Sequence, residues 1–100
     1  MAPRIALDQK KIAEFCQRHQ IKTLALFGSV LRDDFRPDSD VDVLVELRPE
    51  ARVSLFGFVR LQDELSALLG REAHLVEKRS LHNPFRRRAI VDTAEEVYAA

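Results

Sequence analysis

The sequence predicts a small α/β (α+β) domain, a β-sheet packed by helices, and three observations predict it. Short apolar runs ended by turn residues alternate with longer segments whose apolar side chains recur at helical spacing. The short runs are rich in leucine and β-branched residues, as strands are. The 100 residues, 46% of them hydrophobic, suit one globular domain, so residues 1–100 are expected to form a single unit. A chain of this length buries somewhat over ~60% of its unfolded surface, and its core is expected to be modest.

Taken in order, Asp8 is placed to cap a helix running to about residue 19, with Ile12, Phe15, Cys16 and His19 on one face. Thr23–Phe27, TLALF, reads as a buried strand ended by Gly28, and a short helical turn is expected over Leu31–Phe35. Val41–Leu47, VDVLVEL, reads as a second strand. Ser54–Leu69 carries a stripe of Phe58, Leu61, Leu65, Leu68 and Leu69, and Gly70 supplies a left-handed stop. Glu72–Glu77 is the third strand. Asn83 caps a last helix with Pro84 at its first position, and Ile90, Ala94, Val97 and Tyr98 form its apolar face. The expected order is therefore α-β-turn-β-α-β-α.

Sixteen basic residues balance sixteen acidic ones, which gives no strong nucleic-acid signal. Cys16, the sole cysteine, cannot form an internal disulfide, and its helical spacing with Ile12 and Phe15 favours a buried hydrophobe over a nucleophile. No stretch reaches the ~20 apolar residues of a membrane span, and Met-Ala-Pro-Arg lacks the apolar core of a secretory signal. A cytoplasmic location is expected.

The chemistry concentrates in Gly28–Asp42, GSVLRDDFRPDSDVD, where Asp33, Asp34, Asp38, Asp40 and Asp42 crowd together. Arg32 and Arg36 offset part of that charge. Asp40 and Asp42 belong to the second strand, so both carboxylates project from one face with α-carbons about 6.6 Å apart. Acidic groups on an otherwise apolar strand are costly unless paired, and a hard divalent cation such as Mg²⁺ is the natural partner. A solvated edge strand would show the same alternation. The upstream Gly28-Ser29 turn weights the choice towards a site: glycine lets backbone approach a ligand, and N–H groups opening a helical turn favour anions.

Gly28-Ser29 followed by Asp40-Val41-Asp42 resembles the signature of the DNA polymerase β-like nucleotidyltransferases, and FGSVLRDDFRPDSDVDVLVEL is similar to the minimal nucleotidyltransferase (MNT) family. The resemblance covers nearly the whole chain. It implies a polymerase β palm-like fold and transfer of a nucleoside monophosphate, often AMP from ATP, to a hydroxyl with release of pyrophosphate. It further implies that Asp40 and Asp42 bind Mg²⁺ and that Gly28 and Ser29 contact the triphosphate. Arg32 matches a frequent family arginine, which either touches phosphate or balances Asp33 and Asp34.

The chain departs from that pattern in Gly70-Arg71-Glu72-Ala73-His74-Leu75-Val76. His74 stands where the family usually carries a third carboxylate. A neutral imidazole can act as a base but is a poor Mg²⁺ ligand, and Mn²⁺ tolerates it better. Glu72, two residues earlier, shares the face of His74 and can replace the carboxylate, whereas Glu77 points the other way. The remaining alternative is a site that binds nucleotide and turns over poorly. Arg86, Arg87 and Arg88 oppose the dipole of the last helix and form either a functional surface or a solvated basic face. His19 and His82 lack an evident partner in the sequence.

Family members often accompany a small helical HEPN-type protein as antitoxin and toxin, and in pairs of this kind the MNT member adds AMP to a tyrosine of the toxin. The resemblance implies that role here; Tyr98, the single internal tyrosine, makes self-modification a minor alternative. A degenerate domain that neutralises its partner by contact is the main rival. Transfer to a small molecule such as an antibiotic is weaker, because no added substrate domain fits in this length. Self-association is left open.

Overall fold

The computed structural model describes residues 7–31 and 40–100. Its strands are β1 (Ile21–Phe27), β2 (Val41–Leu47), β3 (Ala73–Glu77) and β4 (Glu95–Ala99), and its helices α1 (Gln9–Arg18), α2 (Leu55–Leu69) and α3 (Pro84–Thr93). The strands form one mixed sheet in the order β3-β2-β1-β4, with β1 antiparallel to β2 and β4, and β2 parallel to β3.

The caps act where the sequence places them. Asp8 accepts from the Lys11 N–H, Ser54 from the Gly57 N–H, and Asn83 from Phe85 and Arg86. Gly70 closes α2 at φ 70°, a left-handed conformation open to glycine. The parallel β2–β3 pair needs a long crossover, and α2 supplies it.

Strand alternation divides the core. Val41, Val43, Val45 and Leu47 of β2 face Ile12, Phe15 and Cys16 of α1 and Leu61 and Leu65 of α2 in the main cluster. On the other face Leu44 packs with Ala25, Leu81 and Ile90 beneath α3. Cys16 is fully buried, and burial pushes its thiol up to about 12, so it behaves as the hydrophobe its spacing suggests.

The chain end differs from expectation. Val97 and Tyr98 do not continue the apolar face of the last helix; α3 stops at Thr93, Ala94 is extended at ψ 140°, and both residues lie in β4. Their spacing from Ile90 fits a helix, but β1 has an open edge there, and pairing with it satisfies the backbone of both strands. A register shift sets Leu24 opposite Tyr98 and Ala25 opposite Glu96, leaving Val97 as the extra residue of a bulge. Consecutive Val97 and Tyr98 thereby both reach the main cluster. A 3-10 turn covers Gly28–Leu31, and residues 32–35 of the helical turn expected over Leu31–Phe35 lie outside the described residues.

β3 is an edge strand, yet much of its free side is occupied. Gln62 Oε1 accepts from the Leu75 N–H at 3.0 Å, and Ser66 Oγ accepts from the Ala73 N–H at 2.8 Å. Two side chains of α2 thus stand where a further strand would pair.

Candidate active site

Asp40 immediately precedes β2, and Glu72 immediately precedes β3; the Val41 N–H donates to the Glu72 carbonyl at 2.9 Å and ties the two strand starts together. The parallel register sets Asp42 opposite His74. Period-two alternation then puts Asp40, Asp42, Glu72 and His74 on the α3-side face, at the end of the sheet where β1 runs out into Gly28.

Asp40, Glu72 and His74 converge: each offers one ligand atom, and these lie within 4.8 Å of one another. Glu72 therefore stands with His74, as alternation requires. Asp42 is turned towards the other motif element. A Cβ built on Gly28 would collide with Asp42 Oδ2 and stand 3.3 Å from its Cγ, and Gly28 itself has φ 78°. Glycine is thus demanded twice, by its backbone angle and by the carboxylate packed against it. The sequence suggests close approach of a ligand to Gly28; among the described residues, the Asp42 carboxylate packs there.

His74 Nε2 and Asp40 Oδ2 are 2.8 Å apart, with both side chains about half exposed at 46% and 48%. Donating a hydrogen bond to Asp40 holds the His74 pKa above its ordinary value; desolvation opposes this, and the charges of Asp40, Glu72 and Asp42 add to the rise. When His74 carries a second proton, it offsets part of the clustered negative charge. The parallel register that makes this pair is what the sequence alone does not disclose.

The donor set fits a divalent cation. Ligands about 2.1 Å from an octahedral ion lie roughly 3 to 4 Å from one another, so donors within 4.8 Å need small side-chain shifts. Two carboxylates suit a hard cation, and the imidazole broadens the choice towards Mn²⁺. Among the remaining sequence-derived positions, Ser29 sits in the 3-10 turn, while Arg32, Asp33, Asp34, Arg36 and Asp38 lie outside the described residues.

Other titratable residues serve structure. His19 is half-buried and has a partner the sequence does not reveal: its Nε2 is 3.0 Å from Glu64 Oε2, which also takes Arg18 at 2.8 Å, joining α1 to α2. Arg87 donates to the Lys78 carbonyl at 2.8 Å and Arg88 faces Asp92 at 3.5 Å. Two of the three consecutive arginines are accounted for locally.

Residues 9–97 match the family model of the nucleotidyltransferase domain. Protein adenylyltransferase MntA of Thermococcus cleftensis is 41% identical over 68% of this chain and 67% of its own length. A solved structure described provisionally as a minimal nucleotidyltransferase superposes with a TM-score of 0.70 at 32% identity, covering 86% of this chain and 85% of the other. A second structure, of a tri-AMPylated Shewanella oneidensis HEPN toxin in complex with MNT antitoxin, gives a TM-score of 0.66 at 19% identity over 92% of this chain and 70% of that one, a likeness of fold. No helix among the described residues is long and apolar enough to cross a membrane. The family match begins in α1, passes through the acidic sheet end and reaches β4, and the chain belongs to the nucleotidyltransferase family in its minimal, MNT form.

Proposed function

We propose that the protein transfers AMP from ATP, with Mg²⁺ as its cation, to a tyrosine hydroxyl of a HEPN-type toxin, and so acts as an antitoxin. The observation that carries this reading is the convergence of Asp40, Glu72 and His74 within 4.8 Å beside the Gly28–Asp42 contact. The donor nucleotide and the partner class are drawn from the adenylyltransferase relative and from the AMPylated HEPN toxin of the fold neighbour. On this reading residues 1–100 work as one domain in the cytoplasm, where ATP is available.

Asp40, Asp42 and Glu72 would hold the cation, with His74 beside them. When bound, the cation neutralises triphosphate charge and stabilises pyrophosphate as it departs. The backbone of Gly28 and Ser29 presents N–H groups to the triphosphate, and Arg32 adds positive charge. The tyrosine oxygen forms a bond to the α-phosphorus, the bond from that phosphorus to the bridging oxygen breaks, and pyrophosphate leaves. The hydroxyl proton passes to the Glu72 carboxylate. His74 lies against Asp40 and orients that carboxylate through their hydrogen bond.

The His74–Asp40 pair favours a second reading, because it occupies a carboxylate that the cation needs. In that case the domain binds nucleotide, turns over little and neutralises its partner by contact. Incubation with α-labelled ATP, Mg²⁺ or Mn²⁺ and the HEPN-type neighbour separates the two. Label on the neighbour that is lost with Asp42→Asn supports transfer. A stable complex that never acquires label supports the contact module and refutes the transferase.

A further inference from the structure

The sheet end opposite the acidic cluster has a different character. Val53 and the first turns of α2 leave Leu55 78%, Phe56 80% and Val59 47% exposed. These α2 residues are contiguous, since Leu55 and Phe56 stand one helical turn from Val59. On one side runs a groove of about 490 Å³ along β3, lined by Leu55, Phe58, Leu75 and Val76 among others. On the other is a cleft of about 270 Å³ whose lining includes His19, Arg52 and Arg60. Arg52 and Arg60 make no ion pair among the described residues.

We infer that this face is the docking surface for the HEPN-type partner, which would set an apolar side chain in the groove and a carboxylate in the cleft. The inference rests on the proposed toxin-antitoxin reading for the partner's identity. Its chemistry is read from the surface. Exposed phenylalanine flanked by arginines is the composition of protein interfaces, and positive charge beside an apolar strip calls for an acidic complement. A second copy of this chain placed symmetrically would bring Arg52 and Arg60 towards their own counterparts, which charge disfavours. β2 spans seven residues, so the face lies roughly 20 Å from the acidic cluster. Docking there leaves Asp40, Glu72 and His74 open.

The test uses the purified chain with its purified HEPN-type neighbour, read by calorimetry and, in the same samples, by label transfer from ATP. Phe56→Asp and the double variant Arg52→Glu/Arg60→Glu touch exposed positions, and an acidic residue in the first turn of α2 suits the helix dipole. Unchanged melting temperatures confirm their fold. Each is expected to weaken the complex by about tenfold or more, while Asp42→Asn binds as the wild type does and ATP with Mg²⁺ leaves affinity unchanged. Wild-type affinity in Phe56→Asp overturns the inference, as does no binding of the neighbour by the wild type, or a Phe56→Asp variant whose sole effect is to split a dimer of this chain. A complex that depends on Phe56 but yields no labelled partner retains the docking surface and sinks the transferase reading alone.

Discussion

Gly28→Ala and Gly70→Ala together isolate what the glycine of the Gly-Ser turn does. Both glycines are left-handed, at φ 78° and φ 70°, and an alanine there costs about 1–2 kcal/mol in backbone strain. At Gly70 nothing lies within 4 Å of the added methyl, so strain is the whole effect. At Gly28 the methyl meets the Asp42 carboxylate, with Cγ at 3.3 Å. A carboxylate at the end of a short side chain can rotate away, so the fold survives and the damage falls on where Asp42 points. Both variants should lose about 4–8 °C in melting temperature for each kcal/mol. They should separate in calorimetry with ATP and Mg²⁺, where Gly70→Ala keeps wild-type affinity and Gly28→Ala loses about tenfold or more, the equivalent of about 1.4 kcal/mol. Equal nucleotide affinity in the two variants would refute the reasoning that Gly28 exists to seat Asp42.

The edge of β3 offers a second measurement. Gln62→Ala and Ser66→Ala each strip the acceptor from a strand N–H and should cost about 1–3 kcal/mol in denaturant unfolding, with greater self-association of the double variant in gel filtration. Glu64 gives a pH effect. Burial is the largest single influence and raises its pKa, but the hydrogen bonds from Arg18 and His19 and the charges of both together outweigh it and lower the pKa overall. A lowered carboxylate contributes stability above its unfolded pKa and loses it as pH falls through the folded one, so the melting difference between wild type and Glu64→Gln should shrink below about pH 4.3. The pair is partly exposed, and the difference at neutral pH should stay under about 1 kcal/mol and diminish in salt. His74→Asp substitutes an anionic oxygen donor for the imidazole and should tighten Mg²⁺ binding by roughly tenfold, about 1.4 kcal/mol, with a smaller gain for Mn²⁺; equal gains for both ions would count against a ligand role at this position.

Local patterns made most of the fold legible. The capping residues Asp8, Ser54 and Asn83, the stop at Gly70 and the apolar run Val41–Leu47 act through neighbours a few residues away, and all lie where the sequence suggests. β4 was hidden because Ile90, Ala94, Val97 and Tyr98 also satisfy a helical stripe, and the choice was made by the open edge of β1, some seventy residues earlier. The site shows the same division. Alternation suffices to put Glu72 and His74 on one face, but the Asp40–His74 pair needs the parallel register of β2 and β3. The tie from His19 to Glu64, 45 residues apart, is equally invisible to any local pattern.

The acidic end of the sheet also constrains the order in which ligands are accommodated. Among the described residues Asp40 and Glu72 stand with one His74, so this trio stays negative even when the imidazole carries its proton. Free triphosphate is itself highly negative and would be repelled by such a cluster. A divalent cation reverses that sign locally, and the same charge raises the cost of keeping a proton on His74. Cation binding should therefore release protons, and ATP should bind far more weakly in excess chelator than with Mg²⁺. Calorimetry in two buffers of different ionisation enthalpy measures both effects. ATP affinity indifferent to chelator would mean that the triphosphate is held without help from these carboxylates, and the Asp40–Glu72–His74 cluster would lose its claim to be the nucleotide site.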